Sequence, residues 1–378
     1  MRKKSKKTIA IFSGYTLPHL GGVEKYTDNL SKQLIALGYN VIIVGTDYDF
    51  SGKLINEEAK ILYLRLPIYK LFSSRYPIIK KNKKFRTVIK KLSEYKIDSI
   101  IVNTRFYLTS LIGAKYGKQN NIPVYLIEHG SQHLTVDNKV LDFFGAIYEH
   151  CLTHFVKKYV TKYYGVSQGA CDWQKHFGIK SNGVWYNSIN DFSKGIKINK
   201  TKDDNINILY AGRILKQKGI IDLVESFIKL SKKYDNIYLT IAGDGNLLKF
   251  LKENYKTDRI NFLGKVDFDE LKKLYAITDI FVYAPIWPEG LPTSILEAGL
   301  MKCAVVGSPQ GGIKEIIIDG KTGLMINDRD SLYKAIEKLI KDDKLRNQLS
   351  NNLYKKVSSE FLWEKTVLKI LKDIDEKK

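Results

Sequence analysis

The chain has 378 residues, is 44% hydrophobic and 12% aromatic, and carries a formal net charge of +22, which suits two well-packed globular domains rather than one core. Its three cysteines, Cys151, Cys171 and Cys303, stand at unrelated spacings; this excludes a disulfide framework and a cysteine metal knuckle and points to a reducing, cytoplasmic compartment. No stretch reaches the roughly 18 uninterrupted apolar residues of a membrane span.

The start "MRKKSKKTIAIFSGYTL" is basic then apolar like a signal peptide, but the apolar part is short and interrupted and reads as a first strand behind a basic tail. A helix follows over "GVEKYTDNLSKQLIALG". Gly21 and Gly22 open it, where bare backbone and a helix N-terminus suit a phosphate or a sugar hydroxyl. After the strand "YNVIIVGTD" comes a basic region: Lys53 to Lys96 holds 13 Lys and Arg against three Glu, and residues 1–190 carry +16 of the +22. Such a surface suits nucleic acid, an anionic membrane or a phosphorylated substrate. Within it Phe85, Val88, Ile89, Leu92 and Tyr95 recur at helical spacing among Lys80, Lys81, Lys83, Lys84, Arg86, Lys90 and Lys91. That pattern fits a basic amphipathic helix on a membrane surface, or an ordinary surface helix whose stripe docks on a sheet.

Further strands read as "DSIIVNT", "PVYLIEHG" and "YYGVS", with His129 and His133 just after the second. The polar stretch 191–205 reads as a linker. The alternation then restarts with "INILYAGR", "IYLTIAGDG", "INFLG", "DIFVYAP" and "CAVVGSP", separated by helix-period runs. Two α/β domains with doubly wound parallel sheets follow, facing across a cleft. Their expected bounds are 1–190 for an acceptor domain, 206–355 for a nucleotide-binding domain and 356–378 for a closing helix that returns to the first.

The second domain carries the chemistry. Arg213 stands directly after a strand and Lys218 five residues on, two cations suited to a diphosphate leaving group. Gly243 and the pair Lys265 and Val266 follow the next two strands, where backbone groups can read a base edge. In "APIWPEGLPTSILEAG", Glu289 falls on a strand-to-helix loop and Glu297 about 7 Å up the following helix, with Pro292 fitting its first turn. Gly311 and Gly312 open another helix, which carries Glu315. The pairs at Asp47, Asp267 and Asp328 in "DYD", "DFD" and "DRD" could hold a metal, but the fixed cations make one unnecessary, and none is expected.

In order and spacing, "GRILKQKG", "AGDG", "FLGKV", "PEGLPTSILEAG" and "GGIKEIIIDGKTGLMI" resemble the retaining glycosyltransferases of family four, the group 1 class with the two-domain GT-B fold. "GGVEKY", "EHG" and "GVS" match on the amino-terminal side; "WYNSIN" departs from the pattern, with Ser188 where glycine is usual. The resemblance implies a nucleotide-diphosphate sugar donor, UDP-linked, and transfer to a glycan or polyprenyl-linked acceptor of a bacterial surface polysaccharide. It implies that Glu289 holds sugar hydroxyls and Glu297 the ribose. Backbone N–H groups of Gly290 and Leu291, in the run continuing through Pro292 and Thr293, reach sugar and phosphates. Arg213 and Lys218 take the diphosphate, which Gly22 faces, and His129 stands near the reacting sugar, with His133 competing for that role. No cofactor and no nucleic acid are implied, and Lys80–Lys96 is the expected contact with the inner face of a membrane. The readings that compete are an epimerase or hydrolase on the same fold and a basic nucleic-acid-binding protein.

Overall fold

The structure is a computed structural model that describes residues 6–19, 21–69, 76–135, 138–200 and 205–376. The basic tail before residue 6, residues 201–204 of the expected linker and the last two residues of the closing helix lie outside the described residues. The chain divides into two compact units, one of residues 1–186 with 366–378 and the other of residues 187–365.

In the first unit the apolar runs "TIAIF" and "SIIVN" are buried at every position, as strands covered on both faces of a parallel sheet must be. The sheet contains β1 (Thr8–Phe12), β2 (Asn40–Thr46), β3 (Ile55–Glu58), β4 (Ile61–Leu66), β5 (Ser99–Asn103), β6 (Val124–Glu128), β7 (Lys162–Gly165) and β8 (Gly183–Val184). Their order is β3-β4-β2-β1-β5-β6-β7-β8. All pairings are parallel except β3 with β4, and Ala10 of β1 lies level with Ile42 of β2 and Ile100 of β5. The order reverses at β1 and β5, so the loops leaving their carboxyl ends flank the natural ligand crevice of this sheet.

The basic region is less uniform than its composition suggests, because β3 and β4 run through it. Its helix spans Lys83–Ser93 and is capped by Asn82, whose side chain accepts from the Phe85 N–H. Val88 and Leu92 are fully buried, and Phe85 and Ile89 pack against the same core. Burying such side chains stabilises by about 1.5–3 kcal/mol each, so the apolar stripe expected to enter a membrane is held by the sheet instead. The lysine face is left to solvent, and of the stripe only Tyr95, beyond the helix end, is exposed. The long helix Lys139–Val156 does the reverse: Leu152 and Val156 are buried, whereas Phe143 and Phe144 are 63% and 62% exposed, with Val140, Leu141 and Ile147 also open.

The helix Trp363–Asp375, from Thr366 onward, completes this unit. Trp185 Nε1 donates to Asp373 Oδ2 at 2.6 Å, Tyr125 Oη to the Ile374 carbonyl at 3.2 Å and Lys162 Nζ to the Asp373 carbonyl at 3.4 Å.

The second unit has a fully parallel sheet of β9 (Ile206–Ala211), β10 (Ile237–Ala242), β11 (Ile260–Gly264), β12 (Ile280–Tyr283), β13 (Ala304–Gly307) and β14 (Leu324–Met325), ordered β11-β10-β9-β12-β13-β14. Here the order reverses between β9 and β12. The described part of the 191–205 stretch is packed on this unit, with the Asn199 N–H on the Ala276 carbonyl at 3.1 Å and Phe192 edge-on to Phe268 at 5.2 Å.

Candidate active site

The two strands at the reversal of the second sheet bring Lys218 and Glu289 together, with Arg213 on the loop after β9 and Glu297 on the helix after the β12 loop. β9 is followed by Gly212 and Arg213, and a short 3-10 turn, Lys216–Lys218, leads into the helix Ile220–Ser231. β12 ends in the loop that carries Glu289. Lys218 is buried and its Nζ is ion-paired with Glu289 Oε1; Tyr283 Oη reaches the same oxygen at 3.4 Å. Arg213 is exposed, and its charge acts on Tyr210 and Tyr283, lowering hydroxyl pKa values that burial and then Glu289 push up. Tyr210 in turn donates to the Arg213 carbonyl at 2.7 Å.

Backbone contacts fix the Glu289 loop. Gly311 has φ +53, and a Cβ there would run into the Glu289 carbonyl; the Gly312 N–H bonds the Gly290 carbonyl at 2.8 Å. Asn187 Nδ2 donates to the Leu291 carbonyl at 3.1 Å. Pro292 sits one position earlier than expected, as the N-cap with extended ψ 118, and Thr293 begins the helix Thr293–Leu300. Glu297 is the fifth residue of that helix. Its Oε2 accepts from Tyr275 Oη at 3.1 Å, and burial followed by this carboxylate pushes the Tyr275 hydroxyl well above its ordinary pKa, so it stays a donor. Gly243 at the end of β10 donates to the Gly264 carbonyl at 2.7 Å. Lys265 and Val266 follow β11, the edge strand two places from β9.

On the first sheet, Gly21 is the N-cap of the helix Gly22–Ala36 and has no side chain to cap it. The buried Glu24 turns its carboxyl toward this end. Burial raises its pKa, against the pull of the backbone N–H groups of Glu24 and Gly21 and of His19. His129 follows β6. Its Nε2 lies 2.9 Å from Asn103 Oδ1 at the end of β5, and its ring meets Tyr26 edge-on at 4.9 Å. Asn103 Nδ2 donates to Thr27 Oγ1, which donates to the Val23 carbonyl. This chain of donors leaves Asn103 Oδ1 as an acceptor, so His129 carries its proton on Nε2 and keeps a lone pair on Nδ1. Burial lowers its pKa to about 3, and the ring is neutral at pH 7.

His133 is placed elsewhere: its Nδ1 is 2.8 Å from Glu149 Oε2. Beneath both histidines lies a fully buried ion network, with Arg105 bonded to Glu128 and Glu149 at 2.6 Å each. Glu128 Oε1 accepts the His129 and Gly130 N–H groups at 3.1 Å. Sequence reasoning passed over Glu24, Asn103, Arg105, Glu128 and Glu149, and the tyrosines 210, 275 and 283. Only the strand-end positions of Asn103, Glu128 and Tyr283 could have signalled them.

Two doubly wound units of this kind, with cation and carboxylates at a strand reversal, define the GT-B class of transferase. Residues 191–356 match the glycosyl transferases group 1 family and residues 20–191 match glycosyltransferase family 4. An uncharacterised glycosyltransferase of Methanocaldococcus jannaschii is 26% identical over 379 residues, 96% of each chain. The alpha-monoglucosyldiacylglycerol synthase of Acholeplasma laidlawii is 27% identical over 375 residues, 91% of each chain. Among solved structures, Anabaena HepE in complex with UDP-glucose superposes with a TM-score of 0.73 at 18% identity, covering 98% of this chain and 100% of that one. The chain belongs to the family 4-like, group 1 glycosyltransferases and has the GT-B fold.

Proposed function

We propose that the enzyme is a retaining transferase that moves a sugar from a UDP-sugar to a lipid-linked glycan during assembly of a surface polysaccharide or glycolipid. The observation that carries this reading is the Lys218–Glu289 pair at the β9/β12 reversal, with Arg213 on the loop that leaves β9. Arg213 and Lys218 neutralise the diphosphate as it leaves, Glu289 orients sugar hydroxyls, and Glu297, braced by Tyr275, holds the ribose. Gly290 and Leu291 offer backbone N–H groups from a loop that Asn187 and Gly312 fix in place. Neutral His129 is the histidine proposed for the reacting sugar.

The candidate residues include no obvious nucleophile, which favours attack from the face the leaving group departs. The bond from sugar C1 to the diphosphate oxygen breaks, the acceptor oxygen bonds to C1, and the acceptor proton passes to the departing phosphate. The fixed cations do the work that a metal does in other transferases, so none is required. UDP is favoured over other nucleotides because the HepE complex contains UDP-glucose.

A lipid acceptor is favoured by the helix Lys139–Val156. Its outward Val140, Leu141, Phe143, Phe144 and Ile147 are flanked by the exposed cations Lys139 and Lys158, an arrangement suited to the boundary of an anionic bilayer. The name of the Acholeplasma relative also specifies a diacylglycerol product. No helix of the described residues is long and apolar enough to cross a membrane.

The direct test is to screen UDP- and GDP-sugars for protection against thermal unfolding, then determine the anomeric configuration of the product by NMR. A ligand at 100 times its dissociation constant adds about 2.7 kcal/mol. Absence of protection by any nucleoside diphosphate refutes the donor site, and an inverted product refutes retention. Sugar release or epimerisation without acceptor would instead identify a hydrolase or epimerase.

A further inference from the structure

His133, His150 and His176 come from three separate segments of the first unit: the loop after β6, the helix Lys139–Val156 and the 3-10 turn Lys175–Phe177. Each offers a ring nitrogen, and the three nitrogens lie within 4.8 Å of one another. His150 Nε2 and His176 Nε2 are 3.2 Å apart. Two N–H groups cannot point into that gap, so at least one lone pair does. Tetrahedral zinc with Zn–N bonds of about 2.0–2.1 Å sets its nitrogen ligands about 3.3–3.4 Å apart, close to the spacing already present.

We propose that these histidines form a three-imidazole site for a divalent transition ion of the zinc type, outside the transfer machinery. The third ligand is prepared by its partner. His133 Nδ1–H faces Glu149 Oε2, leaving Nε2 for the metal, and a carboxylate behind a ligating imidazole fixes its tautomer and raises its basicity. Glu149 is itself immobile: it is fully buried, ion-paired with Arg105, and accepts from Tyr76 Oη and the Leu134 N–H at 3.1 Å each.

Aromatic packing holds the other two rings. His176 stacks on Trp173 with centroids 4.7 Å apart and planes 6° apart, and His150 lies 4.7 Å from the Phe177 ring. His150 and His176 are exposed and His133 half-buried, so solvent can supply a fourth ligand. Imidazole suits Zn²⁺, Ni²⁺ and Cu²⁺, and neutral rings are what such an ion needs. By joining a loop, a helix and a turn, the ion acts as a clasp on the first unit.

The test uses the full chain without an affinity tag, stripped with chelator and dialysed against Zn²⁺. Elemental analysis should find about one Zn²⁺ per chain, bound with a rise in Tm, and Co²⁺ should give the intense visible absorption of a four-coordinate site. His150→Gln and His176→Gln alter exposed side chains; each should weaken Zn²⁺ binding at least ~10-fold, and the double variant should abolish the Co²⁺ spectrum. Circular dichroism of the metal-free variants checks that they fold. Protection by UDP should be the same in wild type and variants, which separates this site from the donor site. Failure of the wild type to retain Zn²⁺, retention undiminished in the folded double variant, or a six-coordinate Co²⁺ spectrum overturns the proposal and leaves the trio a hydrogen-bonded aromatic cluster.

Discussion

Gly311→Ala should disable the donor site without touching a residue proposed to contact the donor. The position has φ +53, and the new Cβ would meet the backbone carbonyl of Glu289 well inside van der Waals contact, with the Glu289 carbonyl carbon and nitrogen close behind. All three are backbone atoms, so no side-chain rotation relieves the overlap. Two costs are superimposed. The left-handed conformation costs an L-residue about 1–2 kcal/mol, partly offset by about 0.4–1 kcal/mol because alanine restricts the unfolded chain. The overlap is separate and must be relieved by moving the Glu289–Gly290 segment or the Gly311 turn by about 1 Å, a displacement that can cost ~10²-fold in rate. Gly52→Ala is the matched control: its φ is +71, but no atom lies within 4 Å of its Cβ, so it bears the conformational cost alone. Turnover with a UDP-sugar and Tm should be measured for both. Gly52→Ala should lose a little stability and keep its turnover, while Gly311→Ala should lose ~10²-fold in kcat and remain folded. Equal turnover in the two variants would refute the claim that the Gly311 turn positions Glu289.

Arg213→Ala and Lys218→Ala should each weaken UDP binding, since loss of a charge-assisted contact costs about 1.5–3 kcal/mol; calorimetric titration showing unchanged affinity in both sinks the diphosphate assignment. Glu297→Ala should reduce UDP affinity while Glu289→Ala mainly reduces turnover and sugar discrimination, and Tyr275→Phe should give a weaker version of the former, within about 0.5–1.5 kcal/mol. Equal losses of UDP affinity in the two glutamate variants contradict that division. His129 has an ordinary pKa of 6.5 lowered to about 3 in the folded chain. Below 6.5 the unfolded state binds the proton first, so the stability contribution of His129 is complete above about 6.5 and is lost as pH falls toward 3; urea titrations should show a steeper acid decline in wild type than in His129→Gln, and parallel curves refute the burial argument. Phe143→Ser with Phe144→Ser should release the protein from anionic vesicles, whereas Lys80, Lys81, Lys83 and Lys84 changed together to Gln should only reduce the salt-sensitive part; undiminished vesicle binding by the Phe143 and Phe144 variant argues against the proposed lipid face. Transfer should survive EDTA even when the histidine site is emptied, and activity lost to EDTA and restored by Mg²⁺ or Mn²⁺ counts against a metal-free leaving-group step.

The strands "TIAIF", "SIIVN" and "IFVY" were readable because a parallel sheet covered on both faces demands continuous apolar runs. Glu289 and Glu297 were readable because a strand-end loop and the next helix are adjacent in sequence as well as in space. Adjacency fails for Arg105, Glu128 and Glu149, which come from three elements and meet only when β5, β6 and the helix Lys139–Val156 pack. It fails equally for the three histidines. The stripe of the helix Lys83–Ser93 shows another limit: periodicity identifies an apolar face but not its partner, and here the partner is the protein's own sheet. Conversely, the helix Lys139–Val156 exposes a run of aromatic and aliphatic residues that composition alone would have buried. Strands β3 and β4 were obscured by the lysines and glutamates around them.

Because residues 366–378 belong with residues 1–186, biosynthesis imposes an order on assembly. When the ribosome has made the first 186 residues, Trp185 and Tyr125 lack their partners Asp373 and Ile374, and they must wait while all of the second unit is translated. At about 5–20 residues per second, that interval lasts on the order of 10–40 s, ample time for the inserted unit to fold first. The nascent first unit therefore waits longest for its last element, and a stop placed just before residue 366, which leaves the second unit whole, should harm the first unit more than the second.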